Sequence, residues 1–351
     1  MKWWRSKWAQ GAVSLVAVGL IFGFLFPKLA DYDEAWRAVT HMGWFPVCAL
    51  ALVALWNLFS YLPLMVSVVP GMRIREAAIS NFASTAVSNT LPGGGAIGVG
   101  VTVTIQRSFG IATGDIALGA VVSGVWNNFA KLGLPIAALG LLAVTGDVGG
   151  GLALAALVGL AVLTTLLVAF GLVLRSAAVA ARVGACAARI AARPMRVFGR
   201  APRSDWSAGA TAFRERTIGL IAGRGRMITA ATAVSHVSLY LVLLVSIRSV
   251  GVSEAQVGWI EILAAFAFVR LLSAIPLTPG GLGVVELGLA ASLGSGLPDA
   301  VQNKVAAAVL LYRALTWFTP IPLGAASWLF WRSTAARRHV VAPSQREVSA
   351  R

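Results

Sequence analysis

Thr90-Leu91-Pro92-Gly93-Gly94 and Leu277-Thr278-Pro279-Gly280-Gly281 interrupt two otherwise apolar stretches of this 351-residue chain with the same Pro-Gly-Gly break. Proline has no amide hydrogen to give to a helix and glycine accepts backbone angles that other residues avoid, so a helix entering either motif ends there. The surroundings match as well: 43 residues separate Pro92 from Pro135, and 43 separate Pro279 from Pro322. Paired breaks in two halves of an apolar chain predict a transporter-like membrane fold with discontinuous helices at its midplane.

Composition points the same way. The chain is 58% hydrophobic and 12% charged, and its mean hydropathy is +0.80. Several stretches reach the roughly 20 apolar residues that a hydrocarbon core demands. Cys48 lies in an apolar segment and Cys186 in a basic one, which argues against a structural bridge. His41, His236 and His339 lack metal-ligand spacing, so no metal and no cofactor is expected. Lys2, Arg5 and Lys7 precede an apolar run from Ala9 to Phe26 that is followed by no small-x-small cleavage site, and it reads as an uncleaved first crossing.

The net charge of +16 is concentrated in three places: +3 over Met1 to Trp8, +9 over Arg175 to Arg226 and +4 over Arg332 to Arg351. Lysine and arginine beside apolar spans mark the cytoplasmic side, so both termini and the middle segment belong inside a cell membrane. Acidic Asp31, Asp33 and Glu34 belong outside. Four crossings then fill the first half, at Ala9 to Phe26, Trp44 to Val69, Ile116 to Val144 and Leu152 to Leu174, and parity makes residues 77–109 a re-entrant hairpin. In the second half Met227 to Ile247 and Val301 to Trp331 cross, and residues 257–297 form a hairpin entering from the other side. The expected fold is therefore an all-α polytopic membrane protein of two inverted structural repeats, with about six crossings and two re-entrant hairpins. Eight full spans are the alternative. Its organisation is a first half 1–174, a basic cytoplasmic linker 175–226, a second half 227–331 and a basic tail 332–351.

Arg175, Arg182, Arg189, Arg193, Arg196 and Arg200 recur at steps of 7, 7, 4, 3 and 4, which gathers them on one side of a helix. Such a stripe over residues 175–200 suits anionic inner-leaflet lipids, at about 1 kcal/mol per basic residue near the surface. A solvated linker whose arginines only set orientation is the other reading. Nothing accompanies the basic run to suggest nucleic acid.

Charges inside apolar spans are costly and face a cavity or a partner. Lys131 lies midway along its span, Arg270 precedes the second break, Glu286 follows it, and Arg313 lies within the last long helix. Arg270 and Arg313 as forked donors, with Lys131 as a point charge, would hold a phosphate headgroup. Gly93, Gly94, Gly280 and Gly281 would bring backbone close to it. Glu286 serves as coupling group or counter-ion, and the alternative is a structural pair between Glu286 and one of the arginines. Ser80, Ser84 and Ser88 recur every four residues beside Asn81, Thr85 and Asn89, one polar face that suits cavity lining or helix packing. Ser84, Ser88 and Asn89, with Asn127 and Asn128 near Lys131, are the candidate cavity residues. No Walker loop, nucleophile elbow or dinucleotide fingerprint is present, so no catalytic residue and no enzyme activity is expected.

The run from Ile275-Pro276 through Gly283-Val284-Val285-Glu286, with Leu310-Leu311-Tyr312-Arg313 and Pro320 to Gly324, resembles the lysylphosphatidylglycerol synthase transmembrane family. That resemblance implies a flippase-like domain that moves a lipid with an anionic phosphate headgroup, of phospholipid or polyprenyl-phosphate type, between leaflets. Family members commonly follow the first Pro with Gly-Glu, whereas Gly93 to Gly100 is glycine-rich and the first acid after it is Asp115. The aminoacyl-transferase domain of fused members is not expected here. Two other functions fit the residues: a non-transporting scaffold for a glycosyltransferase or lipid-modifying enzyme, and a secondary transporter of a small anion.

Overall fold

Pro-Gly and Gly turns divide the apolar chain into helices. The computed structural model describes residues 32–91, 94–145, 150–197, 206–273 and 279–341, and the expected first crossing, Gly93 and the end of the basic tail lie outside them. The helices are α1 (Tyr32–Thr40), α2 (Trp44–Ser60), α3 (Leu62–Val68), α4 (Ile74–Thr90), α5 (Gly94–Ser108), α6 (Thr113–Thr145), α7 (Gly150–Arg175), α8 (Ala177–Val197), α9 (Trp206–Ser249), α10 (Trp259–Leu272), α11 (Val284–Gly294), α12 (Asp299–Arg313) and α13 (Pro320–Val341). No strand occurs among the described residues. Among the described residues, five stretches are long and apolar enough to cross a membrane: 44–68, 113–144, 157–175, 209–249 and 299–334. This is a polytopic all-α membrane protein.

Two antiparallel helix pairs stand apart from those stretches. In α4–α5 the arms have 17 and 15 residues, and in α10–α11 they have 14 and 11. At 1.5 Å per residue all four are shorter than the roughly 30 Å hydrocarbon core. The first pair closes through small residues. A Cβ on Gly94 would lie 2.5 Å from the Ser88 carbonyl oxygen, and one on Gly98 would overlap Ser88 Oγ. Bare glycine faces let the backbones of α4 and α5 meet, the usual device for packing helices in lipid. On its other side α4 receives α13, where a Cβ on Gly324 would overlap the Phe82 carbonyl.

Helix α9, 44 residues long, joins the two ends of the molecule. Leu220, Ile228 and Ala231 pack with Leu62, Leu64, Met65, Val68, Leu118 and Val122, while Val242, Leu243 and Ile247 pack with Ile262, Phe266, Leu289, Val305 and Val309. One helix thus completes two cores. The boundary read at residue 226 falls inside it, because Arg214, Arg216 and Arg224 are good helix formers whose heads find partners elsewhere. Arg214 donates to the Leu174 carbonyl at 2.8 Å and Arg224 to that of Val66 at 3.2 Å. Arg216 pairs with Asp115 beside the foot of the first hairpin. At the opposite end of α9, Arg248 pairs with Glu254 and donates to the carbonyls of Val252, Ser253 and Val257 beside the foot of the second hairpin. The hairpin feet therefore sit at opposite ends of α9, and the tips point toward each other.

Candidate functional site

The tips touch. Both α4 and α5 contact residues 279–281, and the Asn89 amide donates to the Trp317 carbonyl at 3.0 Å. The second tip depends on left-handed backbone: φ is +60° at Gly280, +71° at Gly281 and +81° at Gly283. A side chain costs roughly 1–2 kcal/mol at each such position. At Gly280 a Cβ would also collide with the Trp317 indole.

A buried clip holds this tip. Glu286 is 1% exposed, and its carboxylate accepts from the Gly283 amide at 2.7 Å and from Arg313 Nε at 2.6 Å. Arg313 Nη2 donates to the Gly280 carbonyl at 3.0 Å, and its guanidinium lies 5.7 Å from the Trp317 ring centre. Glu286 stands three residues after Gly283, so it caps the helix it begins while neutralising the arginine that grips the preceding loop. Arg313 thus makes the pair with Glu286 that was the alternative reading of these charges. The backbone then leaves the α-helical track: residues 314–318 form a π-turn, an insertion often found at functional sites. It carries Thr316 and Trp317 inward.

Arg270 has no such partner. Its Nε is buried without a hydrogen bond, and none of the three ion pairs among the described residues includes it. Among the described residues it is the single charged one lining a cavity of about 520 Å³ between the first hairpin, α2–α3, α6, α9 and α10. Asn57, Tyr61, Asn81, Ser84, Thr85 and Gln106 give that cavity a polar wall. No carboxylate lines it.

The remaining expected residues divide between the cavity and its frame. Ser84 lines the cavity. Ser88 does not; it donates to the Gly94 carbonyl at 3.2 Å and fills the α4–α5 contact. Asn89 ties tip to π-turn. Asn127 donates to the Tyr61 hydroxyl at 3.2 Å and so holds a lining residue. Asn128 is exposed and bonds its own helix at Gly124. Lys131 lies on α6, outside the lining but within electrostatic reach of Arg270. Gly94 and Gly281 close their respective tips, and Gly93 lies outside the described residues.

His236 was not singled out from the sequence. It is 4% exposed, bonds the Thr232 carbonyl through Nδ1 at 3.0 Å, and leaves Nε2 buried without a partner. It feels the charges of both Arg270 and Lys131. Gln106, 2% exposed, was missed too; it follows the alternating segment Val101-Thr102-Val103-Thr104-Ile105 and does not stand out there. Among the described residues, Arg270, Arg313 and Lys131 thus bring three cations to this level of the protein, with Glu286 as their acidic neighbour.

A family model described as the lysylphosphatidylglycerol synthase TM region matches residues 9–324 of the chain. It is a membrane-embedded, lipid-related, flippase-like region. No curated protein matches the chain.

Proposed function

Since this chain belongs to the lysylphosphatidylglycerol synthase TM family, we propose that it moves a lipid with an anionic phosphate headgroup between the leaflets of a cell membrane. One observation supports this reading: Arg270, which has no acidic partner among the described residues, lines a cavity of mixed polar and apolar wall beside the meeting point of two helix breaks. An uncompensated cation in a membrane interior costs several kcal/mol unless an anion visits it. A guanidinium fork fits the paired oxygens of a phosphate.

Each hairpin enters the bilayer and returns on the same side, because its arms are too short to cross. The feet at opposite ends of α9 make the two hairpins an inverted pair. The Glu286–Arg313 clip holds the second tip, and Lys131 supports the positive field behind Arg270. On the cytoplasmic side the arginine stripe that begins at Arg175 rests against anionic lipid, with Arg182 and Arg189 exposed on α8.

The test is translocation by purified protein in liposomes. Labelled phosphatidylglycerol or a polyprenyl phosphate should exchange leaflets faster than in protein-free vesicles. Uptake of a water-soluble anion without lipid movement would sink the proposal. The topology has its own check. In a cysteine-free background, Thr113→Cys at the foot of the first hairpin should react with an impermeant thiol reagent only from the cytoplasm, and Ser253→Cys at the foot of the second only from outside. Reaction of both from one face would end the inverted arrangement.

A further inference from the structure

Charge and hydrogen-bonding character of the cavity wall restrict which phosphate lipid it takes. We propose that the cavity selects a headgroup made of one phosphodiester and an uncharged, hydroxyl-rich group, glycerol or sugar, and excludes headgroups that carry an ammonium. This deepens the reading of Arg270 as phosphate anchor and rests on it.

One phosphodiester carries one negative charge, and Arg270 is the one charge in the wall. Beyond it the wall offers neutral donors and acceptors: Asn81, Ser84 and Thr85 from α4, Thr102 from α5, Ser123 from α6 and Ser235 from α9. Hydroxyls and amides pair with hydroxyls, each group both giving and accepting. Gln106 adds direction. Its Nε2 donates to Ser80 Oγ at 3.3 Å, which turns Oε1 away as a buried acceptor with no partner. Arg270 Nε is thus a buried donor and Gln106 Oε1 a buried acceptor, each without a partner among the described residues and each on a residue of the cavity wall. A small side-chain shift toward the cavity would let a phosphate oxygen meet the first and a hydroxyl the second.

An ammonium would also satisfy Gln106. It would do so by bringing a full positive charge into a cavity with no carboxylate among the described residues of its wall, toward Arg270 and, behind the wall, Lys131. A buried charge without a counter-charge is the costliest of these options. Space is not the limit: about 520 Å³ matches roughly 17 waters at about 30 Å³ each, room for a glycerol or a hexose beside a phosphate.

The experiment places three labelled lipids in the same proteoliposomes: phosphatidylglycerol, its lysyl ester with matched acyl chains, and a polyprenyl phosphoglucose. The lysyl ester should cross at least about tenfold more slowly than whichever neutral headgroup is carried, the equivalent of one missing ion pair. The other two lipids distinguish glycerol from sugar. Thr102→Asp supplies the absent carboxylate and should narrow or reverse the preference. Ser123→Asp does the same from α6 if the first variant fails to elute as a single species. Wild-type protein that carries the lysyl ester as fast as phosphatidylglycerol overturns the selection while leaving translocation intact. If no lipid crosses, the translocation reading fails, and selection is decided by binding instead. Soluble glycerol phosphodiester should then outcompete its lysyl derivative on purified protein, and equal competition would refute selection as well.

Discussion

Arg270→Gln should abolish most lipid translocation, by about a hundredfold, while the purified protein is recovered at wild-type level or above. The two halves of that expectation come from one fact, the lack of an acidic partner. Two charge-assisted hydrogen bonds to a phosphate, at roughly 1.5–3 kcal/mol each, cover a hundredfold loss. In the lipid-free protein the same guanidinium is a buried cation whose removal strands no carboxylate, so the fold gains or stays level. A residue that merely supports the structure would lose yield and activity together. Arg270→Lys keeps the charge without the fork and should retain intermediate activity. Translocation by Arg270→Gln at the wild-type rate would remove the phosphate anchor.

Glu286→Gln should act in the opposite way, through stability. The substitution leaves Arg313, whose side chain is 12% exposed, without its counter-charge and weakens the cap on the Gly283 amide. Breaking one side of a buried pair costs about 3–5 kcal/mol. The melting temperature of the detergent-solubilised protein should fall sharply, with a matching loss of yield. Adding Arg313→Gln to the same chain should restore much of the loss, because neither charge is then stranded, and a double-mutant cycle measures the coupling directly. Melting of Glu286→Gln at the wild-type temperature would show that the clip does not hold the tip. If its pH dependence of transport were also lost, Glu286 would be a proton carrier instead.

What was legible in the sequence follows from how local each signal is. Membrane class and helix content rest on composition and on runs of 20 or so apolar residues, which no tertiary contact alters. The breaks are equally local, since proline and successive glycines end helices wherever they occur. The partner of Glu286 was not legible. Arg270 and Arg313 stand on either side of it in sequence, and only the packing of α11 against α12 brings one of them to Nε–Oε1 distance. The serine stripe was legible as a polar face yet ambiguous in use: Ser84 faces the cavity, and Ser88, one turn on, faces Gly98. The continuity of α9 was hidden because arginines and scattered glycines over 214–226 read as a linker, and their carbonyl and carboxylate partners lie on α3, α6 and α7. Gln106 and His236 sit among other polar residues, Thr104, Arg107 and Ser108 around the first and Ser235 and Ser238 around the second, and what sets them apart is what they fail to bond.

The junction of α4 with α13 has a consequence in time. The first hairpin ends at Ser108, whose hydroxyl receives the Trp331 indole from a residue 223 positions later, and α4 has no closer partner outside its own hairpin than the helix that follows Pro320. At roughly 5–20 residues per second of synthesis, the hairpin waits on the order of 10–45 s between its own emergence and the arrival of the surface that covers it. During that interval the Phe82 and Ala86 face of α4 lies open. The same delay bears on the first core, since Ile228 and Ala231 must be made before Leu64 and Val122 are enclosed. Biogenesis of this protein is therefore back-loaded: its earliest helices are the last to be finished, and a ribosome that stalls before α13 leaves the cavity without the part of its wall that Pro320 supplies.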